Sequence, residues 1–188
     1  MKIFIGALAA GLALALFVLF KRIAPDQTRL VVQGEQPQFP IVTGNNLNRE
    51  KYEFPRDFGG KYNLLIIPFQ QRQQADVNTW IPFAQEIERT FPGFIYYELP
   101  TIYEMPTLSR TFINEGMRAG IPDETARQRT ITLYLDKASF KEALDIQTED
   151  QIHLFLVDKN GEILWSGKGE YTPDQADSLE NYLKSRSN

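Results

Sequence analysis

The sequence predicts an α/β domain, a mixed β-sheet flanked by helices with an inserted β-α unit, carried behind an N-terminal transmembrane helix. Three observations predict it. From Asn63 onward, short apolar runs of strand length alternate with segments of helical spacing, the pattern of a sheet covered by helices. Asn160-Gly161 between two apolar runs marks an antiparallel hairpin late in the chain. An uninterrupted apolar stretch, Ile3 to Phe20, stands ahead of the domain.

That stretch holds 18 residues without a charged or polar side chain. As a helix it spans about 27 Å at roughly 1.5 Å per residue, enough for a hydrocarbon core of about 30 Å. Lys2 and Lys21-Arg22 bracket it, where long cationic stems reach the headgroups. A cleaved leader would need small residues after the run, and Lys21-Arg22-Ile23 stands there instead. Residues 1–22 are therefore read as an uncleaved single-pass anchor and residues 3–20 as its membrane contact. A two-residue tail inside places the domain on the periplasmic or exoplasmic side. Residues 23–50 form a linker and extended lead-in, rich in Pro, Gly and Asn. Leu30 to Val32 in it reads as a short strand. Residues 51–188 form the domain.

Leu64-Leu65-Ile66-Ile67 is the run expected of a strand buried on both faces. Trp80, Phe83, Ala84, Ile87 and Phe91 follow at helical spacing. Asn78 or Thr79 is the expected N-cap, Pro82 falls in the first turn, and Pro92-Gly93 stops the helix. Phe94 to Leu99 is a second strand, and Leu108, Phe112, Ile113 and Met117 mark a second helix ending near Gly120. Thr130 to Leu135 is a third strand, followed by a short helix through Phe140, Ala143 and Leu144. Ile152 to Val157 and Ile163 to Trp165 form the hairpin. Thr172-Pro173-Asp174-Gln175 opens the last helix with a capping-box pattern, and Ala176, Leu179 and Leu183 supply its buried face.

Composition excludes several function classes. The formal net charge is −4, and residues 1–22 contribute +3, so the remainder carries −7. An acidic domain is a poor partner for nucleic acid, whose phosphates need clustered Lys and Arg. The chain has no cysteine, which removes thiolate nucleophiles, disulfides and cysteine metal sites together. Thiol-disulfide oxidoreductase and peroxidase chemistry go with them. No phosphate-binding glycine loop or His-Glu-x-x-His motif is present, and no cofactor or metal is expected. His153 is the only histidine and lies in a strand, where a satisfied structural role is expected.

The order of elements resembles the thioredoxin-like superfamily over about residues 40–185. The pieces that carry the resemblance are the Leu156-Val157-Asp158-Lys159-Asn160-Gly161-Glu162-Ile163-Leu164-Trp165 hairpin, Gly169 and the capped last helix. The inserted β-α unit is similar to that of peroxiredoxins and membrane-bound thiol-disulfide proteins. Within the superfamily the chain looks most like the mitochondrial ATP synthase assembly factor family. Pro55-Arg56-Asp57-Phe58-Gly59-Gly60-Lys61 matches its lead-in, and Trp80 with Pro82-Phe83 matches its first helix. Residues 55–135 also resemble uncharacterised bacterial membrane-anchored proteins. Redox members begin the first helix with Cys-x-x-Cys; here Gln70 to Trp80 holds five Gln or Asn and no thiol. Those members also carry a cis-proline before the hairpin, where Asp150-Gln151-Ile152 stands here. The resemblance implies a scaffold kept without its redox site and used to bind a protein partner in or at a membrane, as an assembly factor or chaperone does.

Two stretches are candidates for partner or ligand binding. The first is the loop expected at 70–80, with Arg72, Gln74, Asp76, Asn78 and Trp80, at the sheet edge where open α/β folds take ligands. The second is a mixed-charge segment around Gly116, Gly120 and Pro122, of which Arg118 and Arg129 are the candidates. Ion pairing within the domain is the other expectation for those arginines. Tyr96, Tyr97, Tyr103 and Tyr134 read either as an aromatic interface or as packing. A small-molecule or peptide module using 70–80, and an enzyme with non-thiol chemistry, stand as the alternative functions.

Overall fold

A computed structural model describes residues 37–186. The expected anchor and the strand at Leu30 to Val32 lie outside the described residues. Among those described, no helix is long and apolar enough to cross a membrane.

The strands are β1 (Val42–Asn46), β2 (Lys51–Phe54), β3 (Tyr62–Ile67), β4 (Phe94–Glu98), β5 (Thr101–Tyr103), β6 (Ile131–Leu135), β7 (His153–Asp158) and β8 (Ile163–Lys168). The helices are α1 (Gln74–Thr90), α2 (Thr107–Gly120), α3 (Glu124–Arg129), α4 (Lys137–Ala143) and α5 (Pro173–Ser185). The strands form two mixed sheets, in the orders β4-β3-β7-β8 and β2-β1-β6-β5. β3 and β4 pair in parallel, as do β5 and β6; the remaining pairs are antiparallel. One continuous sheet was the sequence expectation. The chain does run almost straight from β4 into β5, but Pro100 falls between them and has no N–H for the ladder. A parallel bridge from Glu98 to Thr130 spans the junction.

β3 explains how the core is divided. Successive side chains of a strand point to opposite faces. Leu64 and Ile66 join Val77, Trp80 and Ile87 of α1 and Leu179 and Leu183 of α5 in one apolar layer. Leu65 and Ile67 join Phe54, Phe58, Tyr97, Leu133, Phe140 and Phe155 in a second layer on the other face. A strand that serves two layers has no polar face, so its sequence reads as a continuous apolar run.

β1 and β2 were not expected from the sequence. Val42 to Phe54 is rich in Asn and charged residues; β1 pairs with β2 in a local hairpin and with distant β6, Gly44 opposite Leu133. A Cβ on Gly44 would lie 2.6 Å from the Thr132 carbonyl oxygen, so only glycine lets β1 come this close to β6. α1 begins at Gln74 rather than at Thr79, preceded by a 3-10 turn at Gln71–Gln73. Pro82 is therefore interior to α1, on an exposed side where the carbonyl it leaves without a donor faces solvent. The expected end of that helix at Pro92-Gly93 holds. α3 was also missed; Asp123 caps it by accepting from the Ala126 N–H at 2.6 Å. The last helix starts as its sequence predicts, with Thr172 Oγ1 accepting from Gln175 N–H at 3.3 Å. In the hairpin, Asp158 Oδ1 accepts from the N–H groups of Asn160 and Glu162, each at 2.8 Å, and Gly161 sits at φ +90°.

Candidate functional site

The corner between β3 and α1 is built from polar side chains that bond back onto the chain. Gln73 is buried, with 1% exposure. Its Oε1 accepts from the N–H groups of Phe69 at 2.8 Å and Gln70 at 3.1 Å. Its Nε2 donates to the Glu149 carbonyl at 2.7 Å, and Gln70 Nε2 donates to the same oxygen at 3.1 Å. Two glutamines thus tie the start of α1 to the loop that precedes β7. The Glu149 side chain closes the ring. Its carboxylate meets the buried Lys137 ammonium and, at 2.9 Å, that of Lys141. Burial acts to raise the Glu149 carboxyl, but the hydrogen bonds from Lys137 and Lys141 outweigh it and hold the group below the usual range. Lys137 also lies 4.5 Å from the centre of the Tyr103 ring and 5.2 Å from that of Phe69.

The predicted residues of this stretch do not converge. Arg72 is exposed and donates from Nε to Gln70 Oε1 at 2.7 Å. Gln74 and Asn78 pair along the outside of α1 at 3.2 Å. Asp76 sits in the first turn, and its carbonyl accepts from Thr79 Oγ1 at 2.6 Å. Trp80 faces the opposite way and is fully buried. Its indole N–H donates to the Gly169 carbonyl at 2.9 Å, with Phe83 and Tyr171 edge-on around it.

The second candidate stretch is divided too. Arg129 pairs with Glu88 at 2.5 Å and lies over the Tyr96 and Tyr97 rings. Arg127 donates to the carbonyls of Ile121 at 3.1 Å and Pro122 at 2.7 Å, which holds the turn between α2 and α3. Arg118 is half-buried on α2. The hydrogen bond from Arg49 holds the exposed Glu115 carboxyl below its usual range, and the Arg118 charge adds to this. Of the four tyrosines, Tyr96 and Tyr97 are core, Tyr134 is half-buried and only Tyr103 is exposed.

α2 departs most from expectation. The apolar residues that marked it imply a buried face, yet no residue of α2 is buried. Leu108 is 86% exposed and Phe112 83%. The α2 residues that line the space beside β1 and β6 are polar, Thr107, Arg110, Thr111 and Asn114, while Ile113 and Met117 are half-buried.

Sequence reasoning missed three further residues. Gln73 and Lys137 hide among ordinary surface residue types. Glu98 gave a usable signal, a lone acid inside the apolar run Phe94 to Leu99. It is 7% exposed, and burial pushes its carboxyl up to about 7, partly offset by a hydrogen bond from Gln74. His153 behaves as expected. Its Nε2 lies 2.9 Å from the Thr148 carbonyl oxygen, its ring meets Phe69 edge-on, and burial lowers its pKa, so it is neutral at pH 7. Neither the groove beside His153 nor the cavity under α2 is lined by Glu98. Among the described residues no group of acidic and imidazole side chains could hold a metal ion.

No family model matches the chain, and no curated protein matches it. Solved structures do. A thiol:disulfide interchange protein from a Bacteroides species aligns over 82% of this chain and 93% of its own, at 18% identity and a TM-score of 0.51. The pneumococcal exposed lipoprotein thioredoxin of Streptococcus pneumoniae strain TIGR4 aligns over 78% and 99%, at 12% identity and 0.52. BsSco, of the Sco family of cytochrome c oxidase assembly proteins, aligns over 79% and 95%, at 13% identity and 0.50. At such identities the likeness establishes the fold, and the fold is thioredoxin-like. The expected likeness to the ATP synthase assembly factors is not among these matches.

Proposed function

We propose that this thioredoxin-like chain is a non-catalytic protein, tethered to a membrane through residues 3–20, that binds a protein partner and assists assembly of a membrane complex. The observation that carries the reading is the closed β3–α1 corner. Where redox members of this fold place thiols, Gln70 and Gln73 are engaged with the Glu149 carbonyl, and the chain has no cysteine. Amide side chains are neither nucleophiles nor proton-transfer groups. A ligand at 70–80 would have to break hydrogen bonds already made, which disfavours that alternative.

Leu108 and Phe112, one helical turn apart with Arg118 on the same helix, supply the partner surface. An apolar pair on a helix suits an apolar groove on another protein. A tether keeps such a surface close to membrane proteins and raises its effective concentration there. BsSco belongs to a family of assembly proteins, so an assembly role is compatible with this fold.

Crosslinking in intact membranes with the full chain, followed by mild solubilisation and capture, tests the reading. A defined membrane protein should be recovered, and Leu108→Gln/Phe112→Gln should lower its recovery at least tenfold. Recovery no better than an untagged control would sink the proposal. Undiminished recovery with the double variant would remove α2 as the docking surface.

A further inference from the structure

The geometry points to a second site, a cavity under α2 that binds a small organic oxyanion bearing a carboxylate or phosphate group. The cavity measures about 270 Å³ and lies between α2 and the face formed by β1, β2 and β6. This is slightly below the roughly 300–1,000 Å³ usual for small-molecule sites, so it suits a compact ligand.

Three observations converge there. The first is the orientation of α2. A helix that covers a sheet normally turns its apolar stripe inward. This one sends Leu108 and Phe112 to solvent and lines the cavity with Thr107, Arg110, Thr111 and Asn114, which are one helical face by spacing. The space is lined mainly by polar groups and opens to solvent on one side.

The second is Thr132. It is 1% exposed, it lines the cavity from the centre of β6, and its hydroxyl has no hydrogen-bond partner. An unpaired buried hydroxyl is unfavourable, because it has given up its hydrogen bonds to water without replacement. A ligand oxygen beside Thr132 would remove that cost. Next to it on the same face, Tyr134 Oη donates to Asn114 Oδ1 at 2.9 Å, which fixes the ring and leaves the phenolic oxygen able to accept.

The third is charge. The lining holds two cations, Lys51 and Arg110, and no carboxylate, although residues 23–188 carry a net charge of −7. Arg110 is already oriented by its Nε bond to the Met105 carbonyl at 2.6 Å, by the Tyr134 ring 5.3 Å away and by an exposed ion pair with Glu104 at 3.4 Å, with which a bound anion would share it. A cation held in place does not need ordering when an anion arrives. Lys51 stands across the cavity on β2 as a mobile point charge.

The test is a titration of the folded chain with inorganic phosphate and with citrate, at ionic strength matched by sodium chloride and followed by amide NMR. At least one anion should shift residues of β1, β6 and α2 saturably; which one does so tells phosphate from carboxylate. Lys51→Ala should weaken binding about tenfold. Thr132→Val keeps the shape of the side chain and removes only the hydroxyl, so it should weaken binding severalfold without loss of fold. Two outcomes would overturn the proposal: no saturable shift with either anion, or binding unchanged in both variants, which would mean that Thr132 is satisfied by water only. Leu108→Gln/Phe112→Gln faces outward and should leave anion binding intact, so failure here and failure of the partner reading are separable.

Discussion

The β3–α1 corner and α2 spend their side chains in opposite ways. At the corner, Gln73 and Lys137 are buried and bonded, and Trp80 fills the apolar layer beneath. On α2 the apolar residues are exposed, and polar ones face a cavity that contains an unpaired hydroxyl. A thioredoxin-like fold normally invites attention to the first helix. Here Gln70 and Gln73 bond that end to the Glu149 carbonyl, whereas the buried Thr132 hydroxyl on β6 has no partner among the described residues. The two regions are therefore expected to respond differently to substitution, and the variants below separate them.

The largest effect is expected at Trp80. Truncating a fully buried aromatic removes its apolar area and leaves a cavity, at a cost of about 3–5 kcal/mol. Trp80→Ala also orphans the Gly169 carbonyl. Urea unfolding followed by circular dichroism measures it, and a loss below about 1 kcal/mol would show that the corner does not hold the domain.

Glu98 comes next, because its carboxyl is buried at the end of β4 beside the start of α1, with a hydrogen bond from Gln74. Its carboxyl is raised from the usual 4.5 to about 7. The unfolded chain thus releases this proton near 4.5 and the folded chain near 7. Between those values the folded state binds the extra proton, so this group lowers stability as pH rises through the window. The total is about 3 kcal/mol at roughly 1.4 per pH unit, with no further change above it. Glu98→Gln should stabilise the domain by up to about that amount at pH 8 and leave it unchanged at pH 4. Equal effects at both pH values would mean that the carboxyl titrates normally.

Gln73→Ala should cost about 1–3 kcal/mol, since it strands the buried N–H of Phe69 and releases the Glu149 carbonyl. Arg72→Ala, one residue away but exposed, should stay within about 0.5 kcal/mol. Comparable losses for the two would erase the distinction between a closed corner and an ordinary polar loop.

Much of the fold is legible in the sequence, and the failures have a common cause. β3, β4, β6, the hairpin and the capped last helix follow from local patterns, such as Leu64 to Ile67 or Thr172 to Gln175. β1 pairs on one side with β2 in a hairpin whose Asn- and charge-rich sequence carries no apolar alternation, and on the other with β6, some ninety positions away, which no local propensity reports. α1 was placed too late because Gln70 to Asn78 lacks an apolar stripe; its glutamines serve through hydrogen bonds, which leave no periodic trace. The candidate site fared similarly. The stretch at 70–80 stands out in sequence, but a row of amides does not say whether it awaits a ligand or grips Glu149. Thr132 and Lys51 are unremarkable in sequence and meet only when β1, β2 and β6 are side by side.

The smallest stability effect is expected on α2, and it bears most on the comparison. Leu108→Gln and Phe112→Gln should each change unfolding free energy by no more than about 0.5 kcal/mol, because neither side chain is removed from water on folding and glutamine keeps good helix propensity. A larger loss in the soluble domain would mean that the pair packs against something within the chain, and the surface would then be part of the fold. A negligible loss leaves two large apolar residues with no role in folding, held on an ordered helix at a site where solvent exposure is unfavourable for them. A silent result in the unfolding experiment is therefore what directs the capture experiment to this helix.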